Sequence, residues 1–219
     1  MSTDFSTLVV AVVSVVGALG GTVLTQRAGF REKRLELSSR QAEASAQTDA
    51  ARRAEKQALY AELNATARAF RSTSHDCVRS LTLDDEGHPT NVLDVSLLAG
   101  LRAVRATYRD VYARAQMVLA EPTLEIASEV NACLGLGFTI VQTFSMPLPS
   151  SRDNPLQLSF EQLLGRAFAW FDGPSSDAVW LLRRALRAEL GVSDPPKPSE
   201  ENRLRMRRHA ERVAWRRPD

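Results

Sequence analysis

Several features that would point to a catalytic or disulfide-stabilised protein are missing from this sequence. Cys77 and Cys133 are its two cysteines in 219 residues. Two are too few for a disulfide framework, so we expect free, buried thiols. Alternating patterns typical of β-strands are almost absent, which predicts an all-α fold. The GxSxG, Walker, HExxH and protein-kinase motifs are absent too. We therefore expect no enzyme activity and no cofactor.

Polar residues that could form a reactive site are few and scattered. Residues 75–77, HDC, occupy successive helical positions and point to different faces, and no second Cys/His cluster would complete a metal site. Residues 84–88, DDEGH, lie in a predicted polar loop, where such residues commonly form turns and caps. Gly135 and Gly137 lie in an apolar helix with no preceding strand, which indicates close helix packing instead of a phosphate loop.

Charge is absent from a long stretch near the N-terminus. No charged residue occurs from Phe5 to Gln26, which makes 22 positions. At about 1.5 Å rise per residue, a helix of about 20 residues crosses a hydrocarbon core of about 30 Å. Residues 1–26 are therefore predicted to hold an extracytoplasmic N-terminus and a single transmembrane helix. The preceding MSTDF lacks Lys and Arg, and no A-x-A site follows, so we expect an uncleaved anchor.

Basic residues follow this stretch directly and predict its orientation: Arg27, Arg31, Lys33 and Arg34. Lysine and arginine beside a membrane span stay in the cytoplasm. We expect an inner-membrane, single-pass protein with its N-terminus outside and residues 27–219 in the cytoplasm.

Small residues within the predicted span form a possible dimer face. Gly17 and Gly21 make a GxxxG motif, and Ser14 extends it by one turn. Such residues let two helices approach closely in lipid, which would support a homodimer. Small residues are also common in transmembrane helices that do not dimerise, so both alternatives stay open.

The rest of the chain separates into a stalk and a bundle. Residues 27–54 are rich in helix-forming Ala, Glu, Arg and Gln and predict a helical stalk. Residues 55–191 carry five amphipathic patterns separated by short loops, which predicts a cytoplasmic four- or five-helix antiparallel bundle. We expect Asn91 to cap the second helix, Pro122 to open the third, Gly191 to close the fifth, and Trp170 and Trp180 to lie in the core.

Three segments carry a family resemblance: ALYAELNATARAFR at 58–71, LLAGLRAVRATYRDVYARAQMVLAEPTLEIA at 97–127, and WLLRRALRAELG at 180–191. Together with the N-terminal anchor, they make residues 8–191 resemble a group of short, uncharacterised, membrane-anchored helical proteins of actinobacteria. The resemblance implies this architecture and location, and it implies no activity or site.

The end of the chain has little acid and much arginine. Residues 192–219 begin with a Pro-rich linker and continue as a basic tail, whose arginines are Arg203, Arg205, Arg207, Arg208, Arg212, Arg216 and Arg217. The tail could be solvated and mostly disordered, it could bind anionic lipid, or it could contact nucleic acid or an acidic protein. The apolar residues of the tail do not fall on one clean helical face.

The sequence as a whole predicts a membrane-anchored tether or protein-interaction scaffold whose protein partner it does not identify. The alternative is a membrane-associated regulator whose arginine-rich tail binds anionic lipid or nucleic acid. Nucleic acid is the less expected partner, because that interpretation rests on the tail alone.

Overall fold

The computed structural model describes residues 4–86, 93–145 and 159–215, with the side chains of residues 4–32, 34, 35 and 214 excepted. Apart from an isolated bridge at Leu83, the regular secondary structure of these residues is entirely helical. The all-α prediction is therefore confirmed. The helices are α1 (Asp4–Arg79), α2 (Val95–Gln116), α3 (Glu121–Thr143), α4 (Phe160–Asp172), α5 (Pro174–Glu189) and α6 (Pro198–Ala214).

The chain divides into two compact units, Met1–Glu55 and Lys56–Asp219. In the first unit, the backbone of α1 is helical from Asp4 onward and includes the predicted span and stalk. The side chains of the span are not described, so its membrane role stays a prediction.

The second unit is a helical bundle formed by the end of α1 together with α2–α6. Its core is enclosed by side chains from four helices that are almost completely buried: Leu63 and Phe70 of α1, Tyr108 of α2, Val130 of α3 and Trp170 of α4. Phe70 contacts the rings of Tyr108 and Phe138, with centroids 5.6 and 6.4 Å apart. Burial of these large side chains at helical spacing drives the helices together.

Helix α3 is the central helix of this bundle. It packs most extensively against α5 and also contacts α4 and α6. Among the described residues, it alone is long and apolar enough to cross a membrane, which is compatible with a membrane location. Half of its apolar window is buried inside the protein, however. We therefore assign α3 to the core of the bundle.

Two predicted helix ends are confirmed. Pro122 lies in the first turn of α3, where its missing N–H has no intrahelical partner to lose. Gly191 follows α5 with φ of 72°, a left-handed conformation that disfavours other residues.

The predicted cap of the second helix is wrong. Asp94, and not Asn91, is the N-cap of α2: its Oδ1 accepts a 2.8 Å hydrogen bond from the backbone N–H of Ser96. Asn91 itself lies outside the described residues. Asparagine and aspartate cap helices equally well, so local sequence did not distinguish the two positions.

Candidate functional site

The arginine-rich tail forms α6, a helix that lies against α3 and α5. Leu204 is 3% exposed and completes the core on this side of the bundle. Trp215 packs against the same core, and the Arg166 guanidinium lies 5.7 Å from the centre of its ring. The interpretation of the tail as mostly disordered is therefore wrong for residues 198–214, which are helical, although most of their side chains are exposed to solvent.

Three of the tail arginines face acidic residues of the bundle. Arg208 donates two hydrogen bonds to the Glu129 carboxylate, from Nε to Oε1 and, at 3.1 Å, from Nη2 to Oε2. Arg205 Nε lies 3.8 Å from the same carboxylate. Arg207 donates to Asp177 Oδ2 at 3.1 Å. These charges are matched within the chain and are less available to an external anion.

The structure describes two of the other four tail arginines. Arg203 and Arg212 form no ion pair with the described residues. Arg216 and Arg217 lie outside the residues that the structure describes. At most four of the seven predicted contact residues therefore remain without an intramolecular acidic partner.

Two further ion pairs join α6 to the bundle with the opposite polarity. Arg166 donates to Glu211 at 3.0 Å. Arg184 donates to both oxygens of Glu200 at 3.0 and 2.9 Å. A hydrogen bond from the backbone N–H of Lys197 and the Arg184 charge lower the pKa of Glu200. Helix α6 is thus held by ion pairs of both kinds, arginines of α6 with acids of the bundle and acids of α6 with arginines of the bundle. Its one almost fully buried apolar side chain is Leu204.

A groove with a volume of about 590 Å³ lies between α1 and α5. We call it the arginine groove. Side chains of both helices line it: Asn64, Ala65, Arg68, Ala69, Arg71, Ser72, Ser176, Val179, Trp180 and Arg183. The lining contains three arginines and no carboxylate. Trp180, predicted to be a core residue, is instead 52% exposed at its edge.

Sequence analysis missed this groove, although a signal was present. Asn64, Arg68 and Ser72 recur every four residues and so share one face of α1. Ser176, Trp180 and Arg183 follow the same rule on α5. Nothing in the sequence, however, indicates that these two faces are adjacent.

Glu189, at the end of α5, is the centre of a cluster of polar contacts. Its Oε1 accepts hydrogen bonds from Tyr60 Oη at 2.5 Å and from the Ala120 backbone N–H at 3.1 Å, and it lies 2.7 Å from Lys56 Nζ. Burial opposes ionisation of Glu189, but hydrogen bonds from Lys56 and Tyr60 outweigh it and lower the pKa. Burial, together with Glu189, raises the pKa of Tyr60. This cluster connects α1 and α5 with the chain at the start of α3, while the other carboxylate oxygen, Glu189 Oε2, is buried without a hydrogen-bond partner among the described residues.

The two cysteines are free and buried, as predicted. Burial, with a smaller contribution from the Glu129 carboxylate, raises the pKa of Cys133 to about 12. Burial likewise raises the pKa of Cys77. Both thiols therefore stay protonated at neutral pH, which makes them poor nucleophiles and poor metal ligands.

Within the described ranges, no group of three or more His, Cys, Asp or Glu side chains is placed to hold a metal ion. His75 packs against Phe171, with ring centroids 5.7 Å apart, and its Nε2 lies 3.6 Å from Asp172. His88 lies outside the described residues.

The predicted dimer face, Ser14, Gly17 and Gly21, lies on the helical backbone of α1. Its side-chain contacts lie outside the description, so the homodimer remains a prediction.

Comparison of the chain with protein-family models, curated proteins and solved structures finds no match.

Proposed function

We propose that this protein is a single-pass membrane-anchored tether or scaffold that acts through protein contacts at the cytoplasmic face. The main support for this proposal is the division of the chain into two compact units. The first unit contains 22 consecutive uncharged residues. The second unit encloses its own apolar core. A membrane attachment and a self-sufficient bundle are the two parts that a tether needs.

The proposal assigns a role to each part of the chain. The helical span within residues 1–26 crosses the inner membrane, and the basic residues after it keep residues 27–219 in the cytoplasm. Residues 27–54 act as a helical stalk. The short connections, such as residues 117–120 between α2 and α3, favour antiparallel order of the helices that they join. The faces of Ser14, Gly17 and Gly21 would pair two copies in the membrane.

Protein contact is supported by the composition of the exposed surface. Trp180 is a half-exposed tryptophan beside several arginines, and these two residue types are enriched among the residues that dominate binding energy at protein interfaces. The alternative of lipid or nucleic-acid binding by α6 has less support, because Arg205, Arg207 and Arg208 face acids of the same chain.

A crosslinked, nuclease-treated pull-down from native membranes tests the proposal. The full chain is compared with a chain that ends after residue 54 and so keeps only the anchor and stalk. We expect a specific protein to be recovered with the full chain alone. Recovery of no protein above background, or recovery that nuclease abolishes, would contradict a protein-contact role.

A further inference from the structure

The arginine groove between α1 and α5 has a strongly positive lining. Arg68 and Arg183 form no ion pair with any described residue. Arg71 uses its Nη2 to donate a 2.7 Å hydrogen bond to the carbonyl oxygen of Phe171, and its Nε is buried without a partner. Asn64 Oδ1 is buried without a hydrogen bond as well. These two buried atoms are not accessible to an occupant, so the groove presents chiefly the positive charge of Arg68 and Arg183.

Trp180 is held in place at the edge of the groove. The Arg184 guanidinium lies 4.7 Å from the centre of its ring, and Arg184 in turn hydrogen-bonds both oxygens of Glu200. One side of the indole is thus fixed by a cation–π contact, while about half of the side chain stays accessible. A fixed, exposed aromatic ring loses little conformational freedom when a partner covers it.

The side chains between the arginines are small. The α1 side is lined by Ala65, Ala69 and Ser72. The α5 side is lined by Ser176 and the buried Val179. Small side chains allow another helix to approach closely between two ridges, and helix-in-groove binding is a common mode of peptide recognition. The small side chains therefore favour a helix as the occupant, and the positive charge of the lining favours an acidic one.

We propose that the arginine groove binds an acidic amphipathic helix of a partner protein. An apolar side chain of that helix packs on Trp180, and its carboxylates pair with Arg68 and Arg183. The inference rests on the proposed tether function and names the chemistry of its partner. A nucleic-acid strand fits less well, because a single exposed tryptophan offers no row of stacking platforms for successive bases.

Site-directed photocrosslinking in the full chain tests this inference. A benzophenone amino acid replaces Ser72 or Ser176 in the groove, and Ala106, exposed on α2, carries it as the control. After irradiation of native membranes, the crosslinked peptides are sequenced. We expect both groove positions, and not the control, to label one segment with net negative charge and helical apolar spacing.

Charge reversal provides the matched variants. Replacing both arginines, Arg68→Glu with Arg183→Glu, should lower the crosslinking yield about tenfold, because like charges then face each other. Arg102→Glu, at an exposed position of α2, should leave the yield unchanged. Exchanging the paired acidic residue of the labelled segment for arginine should restore labelling in the double variant.

The outcomes separate this inference from the proposed function. Groove crosslinks to lipid, to nucleic acid or to a neutral or basic segment would overturn the inference. If the pull-down recovers a partner but the groove positions label nothing, the tether function stands and the groove assignment is wrong. If neither experiment finds a protein, both are wrong.

Discussion

Single residues in this bundle are constrained by what lies within a few ångströms of them, and the glycines of α3 are the clearest example. A Cβ at Gly137 would lie 3.1 Å from Phe171 Cε1 and 3.4 Å from Trp170 Nε1, two fully buried rings. A Cβ at Gly135 would meet nothing within 4 Å. The two residues are two positions apart on one helix, and only Gly137 is needed for close packing.

We expect opposite effects when each of these glycines is replaced by alanine. Gly137→Ala should lower the free energy of unfolding by about 1–2 kcal/mol, because the buried rings must shift. Gly135→Ala should raise it by up to about 1 kcal/mol, since alanine is the better helix former. Urea unfolding of the detergent-solubilised chain, followed by tryptophan fluorescence, measures both. Equal effects of the two changes would contradict the packing role of Gly137.

Glu189 predicts a pH dependence of stability. Its pKa is lower in the folded protein than the ordinary value of 4.5. The stability that it contributes is therefore complete above pH 4.5 and is lost as the pH falls through the lower folded pKa. Glu189→Gln removes the charge-assisted hydrogen bonds to Lys56 and Tyr60 and should cost about 1–3 kcal/mol at pH 7. The difference from the parent chain should shrink in unfolding measurements below pH 4.5. A difference that stays constant down to pH 3 would show that folding does not lower the pKa of Glu189.

Among the elements, α6 depends most on charge. It carries one almost fully buried leucine, Leu204, and its other contacts are mainly ion pairs with distant residues such as Glu129 and Arg184. A cavity of about 360 Å³ lies beside it, lined by Leu136, Arg212 and Trp215 among others. An element with few apolar contacts opens at a lower free energy than the core does.

Arg208 and Arg212 form a matched pair that tests this description of α6. Arg208→Gln removes the two-bond contact with Glu129 and leaves that largely buried carboxylate with the more distant Arg205. Hydrogen exchange of the amides in residues 198–214 should become about tenfold faster. Arg212→Gln removes an arginine that has no ion pair among the described residues, so exchange should stay as in the parent chain. Identical exchange in both variants would show that the Glu129 contact does not hold α6.

The success of sequence analysis differs between elements for physical reasons. Helices α2 to α5 were predictable because each buries an apolar face that repeats every three or four residues. Helix α6 was not recognised as part of the bundle, because it contributes mainly Leu204 and Trp215 to the core and otherwise relies on charge pairs up to 79 residues apart. No local pattern encodes such pairs.

The candidate site was predictable only in part, for the same reason. The tail arginines were recognised from composition, but the pairing of Arg207 and Arg208 depends on where Asp177 and Glu129 lie in the fold. Trp180 was assigned to the core because it lies in one of the apolar C-terminal helices. Trp180 is one residue further along α5 than the buried Val179, so its side chain points to another face of the helix and lies at the surface.

At the scale of the whole molecule, the proposed tether function requires that the first unit attach the chain to the membrane. Residues 8–24 and α3 both have the length and apolar character of a membrane span. Only α3 has a described set of partners inside the bundle, where α5 and α6 pack against it. We therefore expect that charges introduced into residues 8–24 detach the chain, while the bundle stays folded.

Alkaline carbonate extraction of membranes tests this central claim most directly. The full chain is compared with a variant that carries Val13→Arg and Val16→Arg, since each arginine at the centre of a span costs about 2.5–3.5 kcal/mol on insertion scales. We predict that the full chain stays in the membrane pellet and that the variant appears in the soluble fraction. Extraction of the full chain would show that it is not anchored by a span. Retention of both forms would show that another segment, α3 foremost, holds the protein in the membrane, and would contradict the account.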